Sequence, residues 1–210
     1  MTWLTAVVIC LVASQTMAAY NKISKNAVSA NKVAVTSSAA LTIEIEGEEV
    51  EKKIVIGLFG GMKPQTVENF RQICAGTATD EQGRSLTYQG SPFHRIVNGF
   101  MIHGGDAVTA NGKTNAHIYQ GTWKDEGEFD ILHEIGCVGL ANAGADSSGS
   151  QFFIPTAPVE FLDGKHMVFG RVLRGMEVVE KIEKLGSNNG TPKSKVIIKS
   201  CEVLENYTDL

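Results

Sequence analysis

Cysteine, proline and tryptophan are scarce in this chain of 210 residues, at four, five and two. So few cysteines rule out a disulfide-built scaffold. Cys10 falls in an N-terminal apolar run, which leaves Cys74, Cys137 and Cys201, an odd number. Positive charge is also short: 19 Lys and Arg stand against 23 Asp and Glu, a net −4, which argues against a general nucleic-acid surface. No apolar run reaches the ~20 residues that a membrane-spanning helix needs. There is no internal repeat, and no complete metal or nucleotide motif. Asn111-Gly112-Lys113-Thr114 has Ala107 where a phosphate loop needs glycine, and His133-Glu134 has Cys137 where a zinc-protease pattern needs histidine. The five histidines are scattered, so no metal site and no cofactor are implied.

What is present suits one globular core. Hydrophobic residues make up 43% and charged residues 20%. The 22 glycines are spread along the chain, as turns between short strands require. Residues 41–46 (LTIEIE) alternate with period two and read as a strand; residues 52–59 read as its partner across Gly47-Glu48. Pro64 opens a helix with Val67, Phe70, Ile73 and Cys74 on one face, and Gly76 ends it. Residues 77–89 are a polar loop. Short strands follow around Phe93, Met101, Val138, Phe152 and Val168, then a helix at 176–185 and a strand at 195–204. Many short strands with two helices suggest a mainly β fold, a closed antiparallel barrel.

The N-terminus divides in two. Residues 1–18 read as a signal peptide, with an apolar run at 3–12 and small residues at Thr16 and Ala18. No Lys or Arg precedes that run, so a retained anchor is the alternative. Residues 19–40 carry Lys22, Lys25 and Lys32 and no acid. They read as a flexible basic tail, or as a second targeting segment. The domain then spans 41–204, with a short tail at 205–210. The expected location is the secretory pathway, either secreted or in the endoplasmic reticulum lumen; the alternative is an organelle reached through leader plus transit segment.

Residues 93–106 (FHRIVNGFMIHGGD) hold the most information. Arg95 sits among Phe93, Ile96, Val97, Phe100, Met101 and Ile102. Alternation predicts two short strands around an Asn98-Gly99 turn, with Arg95 sharing a face with part of that apolar set. Either Arg95 is a surface residue on an edge strand, or it is a cationic donor presented over an apolar floor.

With ANAG (141–144) and GSQFFIPTAPVEFLDGKHMVFGRV (149–172), this segment strongly resembles the cyclophilins, the peptidyl-prolyl cis-trans isomerases. The resemblance runs from about residue 41 to 204. TVENFRQIC (66–74) looks like the family's first helix. The long 77–89 loop, with Gly83-Arg84-Ser85-Leu86, resembles the divergent-loop subgroup. The resemblance implies a closed eight-stranded antiparallel barrel capped by two helices, and catalysed rotation about Xaa-Pro bonds without cofactor. It makes Arg95 the catalytic donor. Phe100, Met101, Phe153 and Leu162 become the floor and walls of a proline pocket, with His166 at its rim. Ala141, Asn142 and Ala143 would hold the substrate backbone, Gln151 would offer an amide, and Gly112 would line the neighbouring groove.

Two positions depart from the family pattern. His103 stands where glutamine usually braces the arginine; its protonation would push Arg95 off line, lowering activity below about pH 6.5. Phe161 stands where many members have tryptophan, and it lacks the indole donor. Binding of a cyclosporin-type cyclic peptide is therefore expected to be weakened. Cys74 and Cys201 match a pair implicated in redox control of the subgroup; they are either two buried thiols or a bridge that forms on oxidation. The expected partners are proline-containing polypeptides, with no nucleic acid and no stable membrane association after leader removal, and the chain is expected to be a monomer. The alternative function is a non-catalytic proline-segment binding module or chaperone-type partner.

Overall fold

A computed structural model describes residues 23–49 and 51–204. The expected leader and the 205–210 tail lie outside the described residues. In chain order the strands are β1 (Ile23–Ser29), β2 (Ser37–Ile45), β3 (Lys52–Leu58), β4 (Ala78–Thr79), β5 (Ser85–Leu86), β6 (Arg95–Val97) and β7 (Met101–Gly104). There follow β8 (Phe129–Leu132), β9 (Cys137–Leu140), β10 (Phe152–Pro155), β11 (Val168–Arg174) and β12 (Val196–Leu204). The first helix is Pro64–Ala75 and the second Met176–Lys184.

Eight strands form one sheet in the order β12-β2-β3-β11-β9-β10-β7-β6, antiparallel throughout. It curves around a core that includes Phe70, Phe93, Phe152 and Phe169, all almost completely buried. Closure is looser than expected from sequence. No ladder joins β6 to β12; the segment before β6 does so, through a Pro92–Ile197 bridge and Phe93 N–H donating to Val196 O at 2.9 Å. The sheet is thus a half-barrel with a laced seam. Lacing leaves the outer faces of β6 and β7 free to carry a site.

Each helix buries its apolar stripe as its spacing requires: Val67, Phe70 and Ile73 on the first, Val178, Val179 and Ile182 on the second. The first helix ends at Gly76, whose φ of 68° is easy for glycine alone. Its N-terminus is capped from a distance. Glu126 accepts from Gln65 N–H and Thr66 N–H, both at 2.8 Å. Lys63 is almost completely buried beside it. Its ammonium donates to Glu126 O and Glu128 O and pairs with Asp130 at 2.8 Å. That satisfies a charge which would be costly to bury alone.

The described part of residues 19–40, expected as a flexible tail, is ordered instead. β1 pairs in parallel with β8, and a 3-10 turn (Ala30–Lys32) follows. β2 then starts at Ser37 rather than at residue 41. The cause is a few apolar residues within polar surroundings. Ala30 and Val33 enter a second core with Phe59, Ile131, Cys137 and Val168. Arg171 clamps this strap by donating to Asn31 O at 2.7 Å, and Glu134 accepts from Ser29 Oγ at 3.0 Å. The polar loop at 77–89 contains the short β4–β5 pair, and Asp80 ties down its tip through Arg84.

Candidate active site

Alternation along β6, β7 and β10 separates core from site. Ile96, Ile102 and Phe152 point into the core. Arg95 and Val97 face outward opposite His103 and Met101 in the ladder, and Phe153 lies opposite His103 on β10. The turn at Asn98-Gly99 places Phe100 beside them; Gly99 there has φ 67°.

These side chains surround a hollow of about 200 Å³. Arg95, Phe100, Met101 and His103 line it together with Ala141, Asn142, Phe153, Leu162 and His166. Arg95 is exposed, and its guanidinium has no hydrogen-bond or ion-pair partner among the described residues. Its stem runs past Gly190, where a Cβ would stand 2.9 Å from Arg95 Cγ. An unpaired donor at the lip of an apolar hollow can bond a guest that brings its own acceptor. A larger cleft of about 390 Å³ at the β2–β3 turn is lined mainly by glutamates and lysines and holds no aromatic ring.

Four expected site residues lie outside this lining. Gln151 is buried, and its amide donates to Gly112 O and Thr114 O at 3.2 and 2.7 Å. Gly112 lies against the His94 ring, where even a Cβ would not fit. Ala143 N–H donates to Ser147 Oγ at 2.8 Å. Phe161 is 57% exposed and packs its ring 5.7 Å from that of Phe100. It forms an outer rim.

The expectation about His103 needs correction. Burial, then the neighbouring His94, pushes its pKa down to about 3. The His94 ring lies 4.6 Å away, and burial lowers the pKa of His94 and His166 as well. His103 therefore stays neutral at pH 6.5 and gives no acid switch there.

Several residues that shape the site carried no signal in the sequence. Gly139 faces Phe153 across the β9–β10 ladder; a Cβ there would come within 2.6 Å of the ring, so the missing side chain lets Phe153 seat. Asn115 donates to Ala141 O and Ser147 O and accepts from Gln151 N–H, tying the 108–117 loop to the pocket strand. Asp106, just ahead of that loop, is fully buried. Burial alone would raise its pKa, but the Thr114 and Thr109 hydroxyls and several N–H groups outweigh this and hold it below the usual carboxylate range. Among the described residues no group of three or more His, Cys, Asp or Glu could hold a metal ion, and no helix is long and apolar enough to cross a membrane.

Residues 40–203 match the family model described as cyclophilin type peptidyl-prolyl cis-trans isomerase/CLD. The chain belongs to the cyclophilins. It is 46% identical over 167 residues to peptidyl-prolyl cis-trans isomerase CYP21-1 of Arabidopsis thaliana, covering 78% of this chain and 74% of the relative. The protein is thus a peptidyl-prolyl cis-trans isomerase, of a family that takes proline-containing peptides as substrates. The strap at 23–36 lies ahead of the segment that the cyclophilin model matches.

Proposed function

We propose that the hollow beside Arg95 is the prolyl site and that Arg95 is the catalytic donor. The observation that carries this reading is the unpaired guanidinium at the edge of an apolar hollow. The substrate prolyl ring packs on Phe100, Met101, Phe153 and Leu162, with His166 at its edge. Residues 141–143 flank the peptide backbone. Gln151 and Gly112 act at one remove, by shaping the adjoining loop.

The chemistry is rotation without bond breaking. The Xaa-Pro barrier is ~18–20 kcal/mol, and uncatalysed exchange takes tens of seconds or more. Bringing that to milliseconds takes about four decades, or ~5.5 kcal/mol. Twisting the amide returns a lone pair to the prolyl nitrogen, and Arg95 donates to it. One charge-assisted hydrogen bond contributes ~1.5–3 kcal/mol. The remainder comes from holding the ring still in apolar surroundings while the other side of the bond turns.

The protein acts as a monomer on proline-containing polypeptides during folding. Cyclosporin-type peptides bind weakly, because Phe161 offers packing without an N–H. Replacing it, Phe161→Trp, is expected to tighten that binding and leave turnover unchanged; equal affinity by titration calorimetry would refute this. Two features support a secretory location. The Cys74–Cys201 bridge suits an oxidising compartment. Removing the strap as part of a transit segment would uncover Ile131 and Cys137, so leader cleavage ahead of residue 23 fits better.

The experiment compares Arg95→Ala with wild type in peptide isomerisation and in refolding of a proline-limited client. If catalysis is the function, both fall together, turnover by about 10- to 150-fold. Client refolding unchanged despite lost turnover would mean that the groove serves as a binding module.

A further inference from the structure

We propose that His133 is a positioning residue of the prolyl pocket, acting through Phe153 and through the turn that carries Phe161 and Leu162. The proposal rests on the assignment of the hollow as the prolyl site. His133 follows β8 and touches no solvent; its side chain is fully buried. It stands behind the pocket floor. Its ring lies parallel to Phe153, with centroids 5.9 Å apart and planes at 6°. The His166 ring meets it edge-on at 6.5 Å, and Phe153 and His166 themselves meet at 5.4 Å.

The imidazole is held at its other end. Nδ1 lies 2.8 Å from Asp163 Oδ1, and the same oxygen accepts the His133 backbone N–H at 2.8 Å. Asp163 ends the 3-10 turn Glu160–Leu162. One buried ring therefore joins three parts of the site: its floor at Phe153, its edge at His166 and its wall at Leu162.

Packing alone does not explain a histidine here. Nε2 is buried and has no hydrogen-bond partner among the described residues, which disfavours an imidazole over a phenyl ring. A phenyl group would stack on Phe153 equally well. What it could not do is bond Asp163. The imidazole thus couples the placement of Phe153 to that of the Leu162 turn, and this coupling sets the width of the hollow.

The test is a set of folded variants assayed on a proline peptide. His133→Phe keeps the ring and loses the bond to Asp163; Asp163→Ala loses the same bond from the other side. Each is expected to raise KM at least about fivefold with kcat within about twofold, the pattern of lost ground-state and transition-state binding together. Asp163→Asn keeps an acceptor and is expected to restore KM. Ile131→Ala removes a buried side chain from β8 on the strap side, and is expected to lower Tm without moving KM. The proposal is overturned if KM stays at the wild-type value in Asp163→Ala, or if Ile131→Ala moves KM as far. Should His133→Phe not fold, the Asp163 pair decides the matter. Arg95→Ala, run alongside, separates the two ideas: its kcat falls if the hollow is the prolyl site, whatever His133 does.

Discussion

Arg95 and His103 face each other across one pair of short strands, in unlike surroundings. Arg95 is exposed, while burial opposes protonation of His103 and pushes its pKa down to about 3. The sign of the pH effect follows. An unfolded histidine takes up a proton near pH 6.5, but folded His103 resists until about pH 3. Acid therefore favours the unfolded chain across that window. Its stabilising contribution is complete above about pH 6.5 and is lost as pH falls towards 3. Burial of His94 and His166 acts in the same direction. Peptide isomerisation per folded molecule is expected to stay flat from pH 8 to 6, while Tm declines below about pH 6.5. A sharp loss of rate near pH 6.5 with Tm unchanged would contradict this. Alternation made the face taken by Arg95 legible in the sequence, but only the family resemblance made the pocket places of Met101 and Phe153 legible there. The roles of Gly139, Asn115 and His133 were not. Each depends on a through-space neighbour, and neither residue type nor local spacing reports such a contact.

At the scale of elements, the strap and the disulfide add what the bare barrel lacks. Cys74 lies in the last turn of the first helix and Cys201 on β12; the structure joins them with Cα atoms 5.0 Å apart, across 127 residues of sequence. Removing such a bridge typically costs 2–5 kcal/mol, in part by freeing the unfolded chain. The 77–89 loop leaves the helix just beyond Cys74, so the bridge fixes its root. Reduction with excess dithiothreitol is expected to lower Tm and raise activity; identical activity before and after would remove the redox role. The strap offers a separate test. Cys137 is buried beneath it, and burial pushes its thiol pKa up to about 12. It should resist a thiol reagent in the full chain, and react readily in a chain that starts at Thr36. Equal resistance in both would show that the strap does not cover it. Composition hid the strap, since its lysines, serines and asparagines mask the few apolar residues that anchor it. The distal cap on the first helix was equally hidden, because Glu126 lies far along the chain.

For the whole molecule, the half-barrel encloses the core and leaves the hollow beside Arg95 on the outside, next to the seam. The core is assembled from β-strands distant in sequence, with β12 seated against β2 and β11 against β3. The count of eight strands came from the resemblance; their order comes from the structure alone, since alternation supplies strands and no order. The order matters for function: it brings β6, β7, β9 and β10 side by side, so that four short segments share one hollow. The central claim is that Arg95 acts on the twisted amide and not on the resting peptide. Its most direct test is to measure, for one proline peptide, both Kd and kcat/KM in wild type and Arg95→Ala. The account predicts kcat/KM down by about 10- to 150-fold with Kd changed less than about threefold. A Kd weakened by as large a factor as kcat/KM would show that Arg95 merely holds the substrate, and would contradict it.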